Sequence, residues 1–347
     1  MKKIIQLYNL AKIIGIKKMF TMGNVHNDIR KYMRNYMMTQ CILALDEIGF
    51  IDCLQKHKWV DFIRFACENK IDKEYLESVC EYLYVLNVFE KIGNKYGQSD
   101  CGRKIIGLSK GAFYFIHAYA PLFENLSSLM KNEKKYKKDV FRREKYVAEA
   151  TAEVAQWIPI PVAKNMIVKH RFKNVLDLGC GSARFLIKLC EDNDLTCFGI
   201  DISEESINCG KDLIEKNNMQ KRISLMVGDI FNLELSDEIV KRIDVVTSMY
   251  VFHEFLHKDK GVVIKLLTNM KKNFQDKYLL VCELCRQPVE SLRSNPTAIA
   301  EHHLFHAISK QGLITSDEWS EIFTKAGYAC VEEQHFDFAG QTYFLLR

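Results

Sequence analysis

The chain has 347 residues, longer than one average domain of roughly 100–200 residues, so two domains are expected. Its 49 basic residues against 44 acidic ones give a formal net charge of +5, too balanced to argue for a nucleic-acid partner. Hydrophobic residues make up 48% of the chain, enough for ordinary cores, and no apolar run approaches the ~20 residues that span a membrane.

The opening MKKIIQLYNLAKIIGIKKMF has a basic start, but Lys12, Lys17 and Lys18 interrupt it and no small-residue cleavage site follows. Ile4, Leu7 and Ile14 instead predict an amphipathic helix that docks on its own or a partner subunit. From about Tyr32 to Ile105 the pattern reads as three helices and a short hairpin. Met38, Cys41, Ile42 and Leu45 share one helical face, and Leu76, Val79, Cys80, Leu83 and Leu86 share another. VFEKIGNKYGQSDCGRKI then predicts two short strands joined at Gly93 and Asn94. This is a winged-helix outline. Its would-be recognition helix carries Asp72, Glu74, Glu77, Glu81 and Glu90 against only Lys73 and Lys91, the wrong sign for a phosphate backbone.

Residues 1–110 are therefore assigned to a helical, winged-helix-like domain and residues 111–170 to a helical connector covering the active site. Within the connector, Phe113, Tyr114, Tyr119, Tyr146 and Trp157 are candidate pocket walls, and the basic run from Lys131 to Lys145 reads as a solvated helix face or linker. Twelve cysteines, spread through predicted helices and strands without a signal peptide, read as reduced thiols of a cytoplasmic protein. The C-x-x-C of Cys282 and Cys285 falls on a predicted strand, where residues three apart point to opposite faces, against a zinc or redox role.

Residues 171–347 carry the richest pattern. In NVLDLGCGSARF, Val175, Leu176 and Leu178 predict a buried strand, Gly179 and Gly181 a tight turn, and ARFLIKLC a helix. The third glycine position of a dinucleotide fingerprint is Arg184, which disfavours a pyrophosphate, and Asp177 would repel one while suiting an ammonium and a sulfonium. The next strand, LTCFGID, ends in Asp201, placed for two ribose hydroxyls. ISLMVGDI leads to Asp229, placed for an adenine amino group. With IDVVTSMYVFHE and YLLVCEL as further strands and YACVEEQHF and QTYFLLR as a final antiparallel pair, this half resembles the class I S-adenosylmethionine-dependent methyltransferases. The resemblance implies an α/β fold with a seven-stranded Rossmann-like sheet and cofactor contacts from Asp177, Gly179, Gly181, Asp201, Ile202, Asp229 and Ile230. The winged-helix outline is similar to the dimerisation domain of small-molecule O-methyltransferases and implies a homodimer with no nucleic-acid or membrane partner.

In O-methyltransferases of this architecture a histidine after the fourth strand, usually followed by Asp, takes the proton of a substrate hydroxyl; His253 and Glu254 occupy those places. EHHLFHAISKQGLITSDEW departs from the stretch those enzymes carry there, and looks closer to the 2-oxo acid C-methyltransferases that act on phenylpyruvate, 2-ketoarginine and branched 2-oxo acids. That likeness implies a divalent or ferric ion, iron or zinc, on His253, Glu254 and His306. Helical spacing leaves His303 as the alternative to His306, and His257 reads as solvated. A metal chelated by carboxylate and keto oxygen would stabilise the enolate formed at carbon three of a small 2-oxo acid, a reaction suited to secondary metabolism. The alternatives are a metal-free O-methyltransferase with His253 as general base and, from another class, an S-adenosylmethionine-binding sensor or scaffold.

Overall fold

The computed structural model describes residues 2–191, 193–233, 235–256 and 259–347, so the reading of His257 lies outside the described residues. The chain divides into two compact units, one ending at His117 and the other running from Ala118 to Arg347.

In the first unit, helices Lys2–Ile14, Ile16–Glu47, Phe50–Lys56, Phe62–Asn69 and Lys73–Val85 precede a hairpin. The hairpin is β2 (Phe89–Ile92) and β3 (Lys95–Gln98), and a two-residue strand not legible in the sequence, β1 (Val60–Asp61), adds to it in the order β1-β3-β2. Asp61 and Asp72 each accept two backbone N–H groups and so start the two helices that follow them. Leu76, Cys80 and Leu83 are buried, as the helical periodicity predicts, and Phe50, Phe89 and Tyr96 complete the centre. The first two helices differ: Ile4, Leu7, Leu10, Ile13, Phe20, Ile29 and Met33 are all exposed.

The second unit is built on seven strands: β4 (Asn174–Leu178), β5 (Thr196–Asp201), β6 (Ile223–Val227), β7 (Val245–Met249), β8 (Tyr278–Leu284), β9 (Cys330–Phe336) and β10 (Gln341–Leu346). Their order is β6-β5-β4-β7-β8-β10-β9. The first five run parallel, and β10 pairs antiparallel with both β8 and β9. This is the α/β, Rossmann-like arrangement expected, preceded by a mostly helical unit. Strand side chains alternate between two cores, as a sheet covered by helices on both faces requires. Leu279 and Val281 join Val263, Leu267 and Trp319 on one face, while Leu280 and Cys282 join Met166, Leu186 and Ile207 on the other. Cys282 and Cys285 thus lie on opposite faces, and all twelve cysteines are free thiols.

Strand order reverses between β4 and β7, the point where the carboxyl ends of parallel strands leave a crevice for ligands. Among the described residues no helix is long and apolar enough to cross a membrane.

Candidate active site

At the reversal point Asp177 sits opposite Thr247 in the β4–β7 register, and its carboxylate accepts the Thr247 hydroxyl at 2.7 Å. Burial pushes the Asp177 carboxyl up to about 7, with Thr247 opposing the rise and Asp201 adding to it. A buried carboxylate with so little compensation is suited to a cationic ligand. The turn after β4 needs glycine at two places. Gly179 and Gly181 have φ of +75° and +52°, and a Cβ on Gly179 would meet the Val251 side chain at 2.6 Å.

Asp201 closes the same turn from β5. One carboxylate oxygen accepts Gly181 N–H at 2.8 Å and the other accepts Ser203 N–H at 2.9 Å. Ser203 in turn caps helix Glu204–Lys216. Asp229 lies two residues beyond β6 and accepts the Phe231 N–H at 2.9 Å. Asp177, Gly179 and Gly181 line a cavity of about 240 Å³ with Arg184, Met249 and Tyr250, and helix Glu144–Ala155 supplies Thr151 and Ala152 to the same cavity. Ile202 is 73% exposed, and Ile230 packs against the sheet's core.

The acid–base part of the site follows β7. Tyr250 adopts a left-handed backbone, φ +61°, before the short helix Phe252–Phe255 that carries His253 and Glu254. His253 is 4% exposed and its Nδ1 lies 2.7 Å from Glu283 Oε2 on β8. The other oxygen of Glu283 accepts the Phe252 N–H at 2.8 Å. An ionised carboxylate only accepts, so Nδ1 carries the proton and Nε2 is left as the acceptor. Burial alone would hold the His253 pKa down; the Glu283 carboxylate outweighs it, with help from Glu254, and the pKa is raised.

His306 faces His253, the rings 5.2 Å apart at 62°. Its Nδ1 donates to the His302 carbonyl at 2.7 Å, and burial, with the neighbouring His253 charge second, pushes its pKa down to about 3. The neutral form of His306 is thereby favoured. His303 is elsewhere: its Nε2 accepts the Gln287 N–H at 3.3 Å.

Glu254 is turned to a different set of partners. Arg142 Nη2 donates to its Oε1 at 3.1 Å, and Gln311 Nε2 donates to the same oxygen. Burial opposes ionisation of Glu254, but the charges of His253 and Arg142 prevail and its pKa is lowered. Arg142 also bonds Glu144 at 2.9 Å and the Tyr119 hydroxyl at 3.3 Å. The expected metal set meets competing partners here. His253, Glu254 and His306 are neighbours, but a guanidinium already occupies the carboxylate, and among the described residues no three His, Cys, Asp or Glu side chains form a group that could hold an ion.

Of the expected pocket walls, Tyr119 joins the site, stacked on Phe305 at 4.5 Å. Phe113 and Tyr114 belong to the first unit, where the Tyr114 hydroxyl bonds Asp46, and Trp157 is 60% exposed. The basic run is solvated through Lys138, but Arg142 near its end is buried. Glu283 and Gln311 went unread. The signal for Glu283 was a carboxylate inside the otherwise apolar YLLVCEL, since buried acids are rare unless paired.

Residues 169–327 match the family model described as a methyltransferase domain. The methyltransferase ungE' of Aspergillus campestris is 23% identical over 303 residues, covering 83% of this chain and 86% of that protein. Solved methyltransferase structures share the fold. Human N-acetylserotonin methyltransferase in complex with S-adenosylmethionine superposes with a TM-score of 0.67 at 14% identity, over 93% of this chain and 97% of the other. The mitomycin 7-O-methyltransferase MmcR does so with a TM-score of 0.65 at 13% identity, over 94% and 98%.

Proposed function

We propose that this S-adenosylmethionine-dependent methyltransferase methylates a hydroxyl group of a small molecule, with His253 as the general base. The observation that carries the reading is the fully buried Glu283 holding the Nδ1 proton of His253 at 2.7 Å. It keeps Nε2 free to take a proton and stabilises the imidazolium that results. When bound, the cofactor supplies an electrophilic methyl group on its sulfonium. Asp177 would meet its ammonium, Asp201 its ribose hydroxyls and Asp229 its adenine, while the backbone at Gly179 and Gly181 lets it approach. What the chain adds is alignment and proton removal: helix Glu144–Ala155 walls the cofactor cavity, and His253 accepts the hydroxyl proton as the oxygen attacks.

A second reading, methylation at carbon three of a 2-oxo acid with a metal on His253, Glu254 and His306, is favoured by the 5.2 Å approach of the two rings. It would require Glu254 to leave Arg142 and Gln311, so we rank it second. Zinc and iron content of the purified protein, with turnover before and after chelation, separates the two. A homodimer is proposed through the exposed apolar residues of helices Lys2–Ile14 and Ile16–Glu47.

A further inference from the structure

Beside His306, on the side chains that follow β8, lies a second cavity of about 540 Å³. Arg286, Val289, His303, Leu304, His306 and Gln311 line it, and none of the residues that line it is acidic. Its size is that of a small-molecule pocket. Three observations bear on what it takes. First, Arg286 stands two residues past β8, the strand that carries Glu283, so it lies at the carboxyl end of the parallel strands, the end after which His253 follows β7. His306 belongs to both, since it lines the cavity and its ring lies 5.2 Å from that of His253.

Second, the two arginines of this region are treated differently. Arg142 is held between Glu144 and Glu254 and its side chain is buried, whereas Arg286 is exposed and, among the described residues, engages its backbone N–H alone, donating to the Ile314 carbonyl at 2.7 Å. Among the described residues no carboxylate lies within ion-pair distance of the Arg286 guanidinium. Third, the rest of the lining carries no carboxylate: the partly exposed Val289 and Leu304 offer hydrocarbon and Gln311 an amide. Arg286 is exposed at the cavity's rim, and a planar cation with unused donors beside hydrocarbon matches a planar anion through two parallel hydrogen bonds.

We infer that this cavity is the distal part of the acceptor site and that it takes a carboxylate on the acceptor, held by Arg286, so that the substrates are hydroxylated small-molecule acids. The inference rests on the hydroxyl-acceptor reading for its placement, but not for its charge preference.

Matched probes test it: 3,4-dihydroxybenzoate against 3,4-dihydroxybenzamide, and 4-hydroxyphenylacetate against its amide. Each is titrated calorimetrically into full-length protein loaded with S-adenosylhomocysteine. The parent should bind each acid about tenfold more tightly than its amide, Arg286→Met should bring that ratio near one, and Arg286→Lys should restore part of it. A ratio near one in the parent, or one that Arg286→Met leaves in place, overturns the inference. Turnover of the same probes is read separately. Acid-selective binding with no methylation of any hydroxyl would sink the acceptor reading and leave the carboxylate subsite standing.

Discussion

Glu283, with no side-chain surface exposed, fixes the tautomer of His253 by accepting its Nδ1 proton at 2.7 Å while its second oxygen takes the Phe252 N–H at 2.8 Å. One carboxylate thus orients both the ring and the backbone that carries it. Glu283→Gln places an amide N–H against one of those donors. We expect kcat to fall about 10²-fold, the scale of a misdirected general base, with S-adenosylmethionine affinity changed by less than about twofold. An unchanged kcat in a folded variant would remove Glu283 from the mechanism.

His253→Ala and His306→Ala distinguish proton transfer from metal chemistry. For a general base, His253→Ala loses about 10²–10⁴ in rate, His306→Ala loses much less, and chelators have no effect. If both variants are inactive, chelation imitates them and an added ion rescues only the parent, then the metal reading takes its place.

Asp201→Ala removes both the expected ribose contact and the brace on Gly181 N–H. Calorimetric titration should show S-adenosylmethionine bound about tenfold more weakly or worse, as expected for losing charge-assisted hydrogen bonds. Asp201→Asn, which can still accept from Gly181, should fall between the two. Parent-like affinity in Asp201→Ala would take this residue out of the site.

Asp177 gives a pH dependence with a definite sign. Its native carboxyl is raised to about 7 by burial, against an ordinary value near ~3.9. Without cofactor, the native state therefore holds a proton that the unfolded chain releases. That contribution to stability is full below the unfolded pKa and is lost as pH rises through about 7. Cofactor binding runs the other way, because an ammonium needs the ionised acid. Affinity for S-adenosylmethionine should rise roughly tenfold from about pH 5.5 to about pH 7. Asp177→Asn should flatten both trends; a parent affinity independent of pH over this range would show that Asp177 does not meet the ammonium.

The exposed apolar residues of the first two helices predict self-association. Analytical ultracentrifugation should find a dimer for the parent and a monomer for a Leu7→Glu, Ile29→Glu double variant, both of which replace exposed positions. A parent that sediments as a monomer at every concentration rules out the homodimer.

The strand–turn–helix at Asp177 to Phe185, the acids at or near the ends of three successive strands and the helical face of Leu76, Cys80 and Leu83 were all determined by the sequence, because each rests on local periodicity or on backbone freedom at glycine. His253 and Glu254 were legible for the same reason, as residues just beyond a strand end. Their partners were not. Glu283 meets His253 from a strand 30 residues later, and Arg142 reaches Glu254 from 112 residues earlier. Nothing in the local pattern of either residue announces the other. That Glu254 is bound by Arg142 and Gln311 instead of being left open for an ion, and that His306 and not His303 turns toward His253, follows from how helix Ile299–Ile308 and the connector pack beside β7 and β8. Helical spacing allows either histidine to share that face; only the rotation of the packed helix selects one. Likewise β1 pairs with β3 through two residues, too short a run to carry a periodicity of its own.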